Sequence, residues 1–264
     1  MKNVISPIWQ SLPDNIEQKF ENCIAKALTE RVNNKIAVLL FRADGVGVPG
    51  KNFSRLMELF MKYNTPLSLA VVPGWLYESR WNVIKKLIPD KKKSLFCWHQ
   101  HGWRHVNNGE NGARYEFGSN RFLSDIIDDL ESGWLRLESV LGRDFYPAFI
   151  PPWNTCDDAT IQLIREMKYN CISRFQGIKP LTPKGLADFP VNVDLHTRDE
   201  QNQSIDWGKL YVELKYTISH SYCAIMIHHQ NMNDNAFEFL EILLKIIGKK
   251  KNIKPVNLKT LCEI

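Results

Sequence analysis

The hydrophobic and polar positions of this chain alternate between two patterns. Short, nearly continuous apolar runs, such as IAVLLFRAD at 36–44 and YCAIMIHH at 222–229, are bounded by polar or glycine-containing segments. Between them lie segments whose apolar residues recur at spacings of three and four, such as NFSRLMELFMKYN at 52–64. The first pattern predicts strands that are buried on both faces, and the second predicts amphipathic helices.

This alternation continues along most of the chain. We predict strands at 36–44, 66–74, 94–102, 145–154, 169–175, 185–196 and 222–229. We predict helices at 13–33, 52–64, 80–88, 119–140, 157–168, 207–219 and 237–247. Strands that alternate with helices are typical of βαβ units and a parallel sheet.

About seven such repeats in 264 residues favour one closed or nearly closed α/β barrel over two domains. We therefore expect an N-terminal helical extension at 1–35 and a single barrel domain at 36–264. No linker, low-complexity tract or internal sequence repeat interrupts the pattern.

Charge and composition exclude several functional classes. The net charge is +5, from 34 basic and 29 acidic residues, and no basic stripe indicates nucleic-acid binding. The six cysteines are scattered, without a C-x-x-C pair, and the N-terminus lacks the apolar region of a signal peptide. No segment approaches the roughly 18 apolar residues of a membrane span. We therefore expect a cytoplasmic protein with reduced thiols.

Polar residues with chemical potential follow the predicted strands. In α/β barrels the catalytic residues lie at the carboxyl ends of the strands. Five predicted strand ends carry residues of the metal-ligand or acid–base types. These are Asp44; His99 and His101; Asn154, after Pro152 and Trp153; Asp194 and His196; and His228 and His229. This clustering predicts a site for hydrolytic or lyase chemistry at one end of the barrel.

His101 and His105 are four residues apart, so a helical turn after Gly102 would bring both imidazoles to one point. Two imidazoles and a carboxylate are a common catalytic zinc shell. The same histidines could instead bond to backbone in an aromatic core, and Asp44 could cap the DGVG turn. Trp103 and Trp153 could stack on sugars or pack in the core.

Taken together, these motifs resemble the polysaccharide deacetylase superfamily, the carbohydrate esterase family 4 (CE4) and NodB-like proteins. The motifs are the Asp-containing turn, HGWRH at 101–105, PPWN at 151–154 and a late strand ending in histidine. The subgroup resembled most is associated with O-antigen and capsule biosynthesis. The resemblance spans about residues 36–240, and it implies a deformed (β/α)7 barrel that removes an N-acetyl group from a sugar or oligosaccharide.

The resemblance also implies residue roles. A divalent metal ion, usually zinc, would be held by Asp44, His101 and His105, and His228 or His229 would be the general acid. Asp194 or His196 would orient that acid. The residues expected to contact substrate are Trp103, Pro152, Trp153, Asn154 and Asp194.

One departure from the family concerns the first strand end. The family has two adjacent aspartates there, a base and a metal ligand, whereas this chain has Ala43-Asp44-Gly45. Asp44 is the ligand in one alignment, with the base missing at position 43. In the other alignment Asp44 is the base and Gly45 replaces the ligand.

The incomplete pair keeps a second interpretation open, a catalytically inactive barrel that binds a sugar or a metal. A third class, metal-dependent amidohydrolases and phosphodiesterases, usually has H-x-H on the first strand. Here H-x-H occurs at 99–101, on the third predicted strand, which disfavours that class.

Overall fold

The computed structural model describes residues 5–31, 36–198, 202–220 and 222–263. The described strands are β1 (Ala37–Val46), β2 (Leu67–Val71), β3 (Phe96–His101), β4 (Phe145–Ile150), β5 (Cys171–Ile172), β6 (Ala187–Asp188), β7 (Val193–Asp194), β8 (Cys223–Ile227) and β9 (Ile253–Val256). The described α-helices are α1 (Ile16–Thr29), α2 (Lys51–Lys62), α3 (Glu78–Lys86), α4 (Leu123–Leu141), α5 (Asp158–Glu166), α6 (Gln203–His220), α7 (Asp234–Gly248) and α8 (Leu258–Cys262).

The sheet is parallel throughout, in the order β6-β5-β4-β3-β2-β1-β8-β7, and β9 pairs with the first residues of β1. The prediction of an α/β fold built on a parallel sheet is therefore confirmed. Within the described ranges no ladder joins β6 to β7, so the sheet is a curled, open barrel.

The prediction of one strand at 185–196 was wrong, because this segment forms the two short strands β6 and β7. The reason is a change of partner. The amide of Val191 donates to Arg174 O at 2.7 Å, on the β5 side, whereas the amide of Asn192 donates to Ala224 O at 3.0 Å, on β8. One bent segment thus spans the gap between the two sides of the barrel.

Helix α1 contributes to the main core. The Phe20 ring lies 4.6 Å from the rings of Tyr211 and Phe239, on α6 and α7. The helix is therefore packed into the molecule, and a separate extension at 1–35 stays a prediction. None of the helices in the described ranges combines the length and the apolar character that a membrane span requires.

Side-chain alternation along β1 separates two faces of the sheet. Phe41 and Ala43 belong to the large core beneath the helices, whereas Leu40 belongs to an inner cluster. Arg42 and Asp44 continue the inner face beyond Leu40 towards the carboxyl end. The inner face is thus apolar near the start of the strands and polar where they end, which is the end at which α/β barrels carry their functional residues.

Candidate functional site

Asp44 lies on the inner face of β1 and is paired with Arg42. Arg42 Nε donates to Oδ1 at 2.8 Å and Nη2 donates to Oδ2 at 2.7 Å, and both side chains are almost completely buried. Burial opposes the charged carboxylate, but the Arg42 guanidinium and nearby imidazoles outweigh it, so the pKa of Asp44 lies below its ordinary value. Asp44 is therefore an anion held in one orientation.

The remaining donors of Arg42 are also bonded. Nη1 donates to Ser173 Oγ at 2.7 Å and to Ser173 O at 3.1 Å, and Nη2 donates to Asn154 Oδ1. Asn154 therefore supports the arginine from the PPWN segment. Sequence reasoning did not assign Arg42 a role, although a charged residue inside a fully buried strand needs a partner, and that was the available signal.

His101 and His105 are brought together, with ring centroids 5.1 Å apart. His101 Nδ1 lies 3.0 Å from the carbonyl of Ile150, so this nitrogen carries the proton and the lone pair is on Nε2. Burial lowers the pKa of His101 to about 3, and it also lowers the pKa of His105. Both imidazoles are therefore neutral near pH 7, and the Asp44 charge acts on both.

The segment after Gly102 bends, and the helical turn considered for it is absent. The buried carboxylate of Glu116 organises the bend by accepting the amides of Trp103 at 3.0 Å and Arg104 at 2.7 Å. A Cβ at Gly102 would lie 2.0 Å from Glu116 Oε2, so only glycine fits there. Sequence reasoning missed Glu116 because it lies more than ten residues downstream in a loop.

The rings of Trp75, His105 and Trp153 pack against one another beside the site, and we call them the aromatic wall. The His105 ring lies 4.5 Å from the Trp153 ring and 5.6 Å from the Trp75 ring. His105, Trp153 and Asn154 all have positive φ, at 59°, 55° and 60°. Such conformations are costly for residues with a Cβ, and they cluster at functional sites. Trp75, in a turn after β2, was not singled out by sequence reasoning.

His228 and His229 face different surroundings. His228 directly follows Ile227, the partner of Ala43 in the β1–β8 ladder, and it lowers the pKa of Asp44 and of His105, so it lies beside them in the site. Its backbone amide donates to His196 Nδ1 at 3.2 Å. The His229 ring instead lies 5.6 Å from Phe53, edge to face, on the α2 side of the sheet.

The other residues expected to contact substrate divide into two groups. Pro152 and Trp103 border the site, since Pro152 packs against Gly102 and Trp103 follows it. The carboxylate of Asp194 caps its own turn, accepting the amides of His196 at 2.9 Å and Thr197 at 3.1 Å. Asp194 thus shapes the segment that carries His196.

The donor set fits a metal ion poorly. In the part of the chain that the structure describes, no three His, Cys, Asp or Glu side chains are arranged to hold a metal ion. Both oxygens of Asp44 accept hydrogen bonds from Arg42, and two imidazoles alone do not complete a catalytic shell. Metal binding by Asp44, His101 and His105 stays a prediction, as does zinc.

No family model and no curated protein matches the chain. A protein from Mycobacterium smegmatis, described as a polysaccharide deacetylase, superposes with a TM-score of 0.62 at 13% identity, over 87% of this chain and 90% of that chain. The Xyl-CE4 domain of a multidomain xylanase from the hindgut metagenome of Trinervitermes trinervoides has a TM-score of 0.55 at 13% identity, over 87% and 91%. A CE4 family pseudoenzyme from Bacillus anthracis has a TM-score of 0.54 at 14% identity, over 88% and 66%. The chain therefore has the deformed barrel fold of the CE4 polysaccharide deacetylases.

Proposed function

We propose that this protein removes the N-acetyl group from a sugar or oligosaccharide at the end of the barrel that carries Asp44. The observation that supports this proposal is the meeting of a fixed carboxylate with the imidazoles of His101, His105 and His228 at the carboxyl ends of parallel strands. Solved structures of the same fold include polysaccharide deacetylases.

In this proposal Asp44 is the general base. It takes a proton from water, the water oxygen attacks the acetamide carbon, and a charged His228 gives a proton to the amine as the C–N bond breaks. The products are acetate and an amino sugar. The ion pair with Arg42 orients Asp44, although it also lowers its basicity.

The geometry supports the alignment in which Asp44 is the base and Gly45 replaces the ligand. Ala43 is fully buried in the outer core, so a carboxylate there would face away from Asp44. A Cβ at Gly45 would point towards Gln230 Nε2, at 2.8 Å, and the Trp75 ring, at 3.7 Å. Trp75 also contacts His105, so a side chain at position 45 would share a neighbour with His105.

A second candidate function is sugar binding without turnover. The observation that favours it is the complete engagement of the one carboxylate by Arg42. The fold supports this alternative too, because a CE4 pseudoenzyme shares it.

Acetate release separates the two functions. Wild type and Asp44→Asn are incubated with N-acetylated oligosaccharides, including O-antigen and capsule precursors, with added zinc and with chelator. The hydrolase proposal requires acetate from wild type and a loss of about a hundredfold or more in Asp44→Asn that thermal unfolding shows to be folded, as is typical for removal of a general base. Asp128→Asn, at an exposed position on α4, is the matched control. Sugar binding by wild type without acetate would establish the second candidate.

A further inference from the structure

A second group of side chains borders the aromatic wall, and it consists of arginines that lie over aromatic rings. The Arg136 guanidinium lies 5.6 Å from the Tyr77 ring and 5.9 Å from the Trp103 ring. Arg104 lies 5.5 Å from the Trp103 ring, and Arg80 lies 5.1 Å from the Tyr77 ring. We call these five residues the arginine–aromatic surface.

This surface is joined to the candidate site through two packed loops. The amide of Gly74 donates to Trp103 O at 2.8 Å, and a Cβ at Gly74 would lie 3.2 Å from Arg104 Cγ. The loop after β2 therefore packs on the loop after β3. Arg104 directly precedes His105, and Trp75 in the first loop contacts the His105 ring. A ligand whose acetyl group reaches His105 would extend over this surface.

Aromatic rings position these guanidinium groups, but in the described ranges no carboxylate neutralises Arg104 or Arg136. In the described ranges neither Arg104 nor Arg136 forms an ion pair, and Arg80 donates to the carbonyl of Trp75. Glu116, an acidic residue of the same loop, is buried and accepts backbone amides. A guanidinium held over an aromatic ring keeps its fork of N–H donors, and that fork matches a phosphate or a carboxylate.

We propose that the arginine–aromatic surface binds an anionic group on the acetylated sugar, a phosphate or a carboxylate, so that the ligand of this site is a charged sugar. This proposal rests on the proposed function for one point, that the sugar carries an N-acetyl group. The binding of the anionic group does not depend on hydrolysis. The rings of Tyr77 and Trp103 supply flat apolar faces for the sugar, and Tyr77 is 48% exposed.

The test is calorimetric titration with three sugars: N-acetylglucosamine, its 1-phosphate, and N-acetylgalactosaminuronic acid. We expect at least one anionic sugar to bind wild type about tenfold or more tightly than the neutral sugar, or 1.4 kcal/mol. This preference should weaken between about 25 and 300 mM salt. Which of the two anions gains affinity distinguishes a phosphate from a carboxylate.

The variants are Arg104→Gln, Arg136→Gln and the double variant, each checked by thermal unfolding. The double variant should lose the preference for the anionic sugar, and the single variants provide the same test if the double variant does not fold. Arg143→Gln is the matched control, since Arg143 is exposed in the turn before β4, at the opposite end of the strand from the site. Equal binding of neutral and anionic sugars, no binding of either anion, or equal effects of Arg143→Gln and Arg104→Gln would overturn the proposal.

Asp44→Asn separates this inference from the proposed hydrolysis. We expect the folded fraction of that variant, checked by thermal unfolding, to keep the preference for the anionic sugar, because Asp44 is buried and lies outside the arginine–aromatic surface. An anion preference without acetate release from wild type would support the surface and reject the hydrolase. Acetate release without an anion preference would support the hydrolase and reject anion binding by the arginine–aromatic surface.

Discussion

At the scale of single residues, the ion pair of Arg42 and Asp44 sets the charge and the orientation of the carboxylate in the candidate site. Both side chains are buried, and each balances the charge of the other. Removal of one partner leaves an uncompensated charge, whereas removal of both does not. The pair thus couples the geometry of the site to the stability of the fold.

We predict that Arg42→Met lowers the free energy of unfolding by about 3–5 kcal/mol, because it leaves Asp44 buried and unpaired. Arg42→Met combined with Asp44→Leu should be less destabilised than the single variant. Denaturant unfolding at pH 7 measures both. A double variant at least as unstable as Arg42→Met would show that the charge is not the cause.

Gly45→Asp tests the missing carboxylate. Position 45 has φ of +70°, so the backbone alone costs a side chain there about 1–2 kcal/mol, although aspartate tolerates this region better than most residues. The Gln230 side chain must also move, since its Nε2 would lie 2.8 Å from the new Cβ. If position 45 faces His105, the new carboxylate should raise the zinc retained after gel filtration above the wild-type amount, measured by elemental analysis. Gly45→Asn, equal in size and backbone demand, is the control. Equal zinc retention in the two variants would contradict the alignment.

At the scale of elements, the loop that carries His105 depends on Glu116, which accepts amides from Trp103 and Arg104. Glu116→Gln replaces one acceptor oxygen by an NH₂ group that faces an N–H. Of these two amides, we predict faster hydrogen exchange for the one that loses its acceptor, by about tenfold, since one charge-assisted bond is worth about 1.5 kcal/mol or more. Glu110→Gln, exposed in the same loop, should leave their exchange unchanged.

The elements that sequence reasoning predicted share a clear periodicity. Helix α2 and strand β8 were predicted within a few residues of their observed bounds, because each has an uninterrupted apolar stripe or run. β9 (Ile253–Val256) was missed because Lys254 and Pro255 interrupt its apolar residues. β6 and β7 were predicted as one strand because the hydrophobic pattern of an extended segment does not change where its hydrogen-bond partner changes.

The residues of the candidate site that could be predicted from the sequence are those at the carboxyl ends of strands, because these ends meet at one edge of a parallel sheet. Asp44 ends one apolar run, and His101 and His105 lie at the end of another and just beyond it, so a parallel sheet places all three at one edge. His229 was separated from His228 only in the structure, which places the His229 ring against Phe53. Trp75 and Glu116 lie in irregular loops, and no periodicity in sequence reports which way such side chains point.

At the scale of the whole molecule, the barrel excludes water from several imidazoles. His196 and His229 are fully or almost fully buried, and each has a ring nitrogen without a hydrogen-bond partner. Burial lowers the pKa of His229 to about 3 and that of His196 well below its ordinary value. The folded protein therefore resists protonation at positions where the unfolded chain accepts it.

This difference fixes the sign of a pH effect on stability. Above the ordinary histidine pKa of 6.5 both groups are neutral in both states and cost nothing. As the pH falls from 6.5 towards 3, the unfolded chain binds protons that the folded chain does not, so stability declines by up to about 1.4 kcal/mol per pH unit for each histidine. We predict that the midpoint temperature of unfolding falls steadily below pH 6. His229→Gln should show a smaller decrease of this temperature per pH unit than wild type. His220→Gln, at an exposed position, should show the same decrease as wild type. Thermal unfolding between pH 8 and pH 4.5 measures this, and a flat profile below pH 6.5 would mean that these imidazoles reach solvent in the folded state.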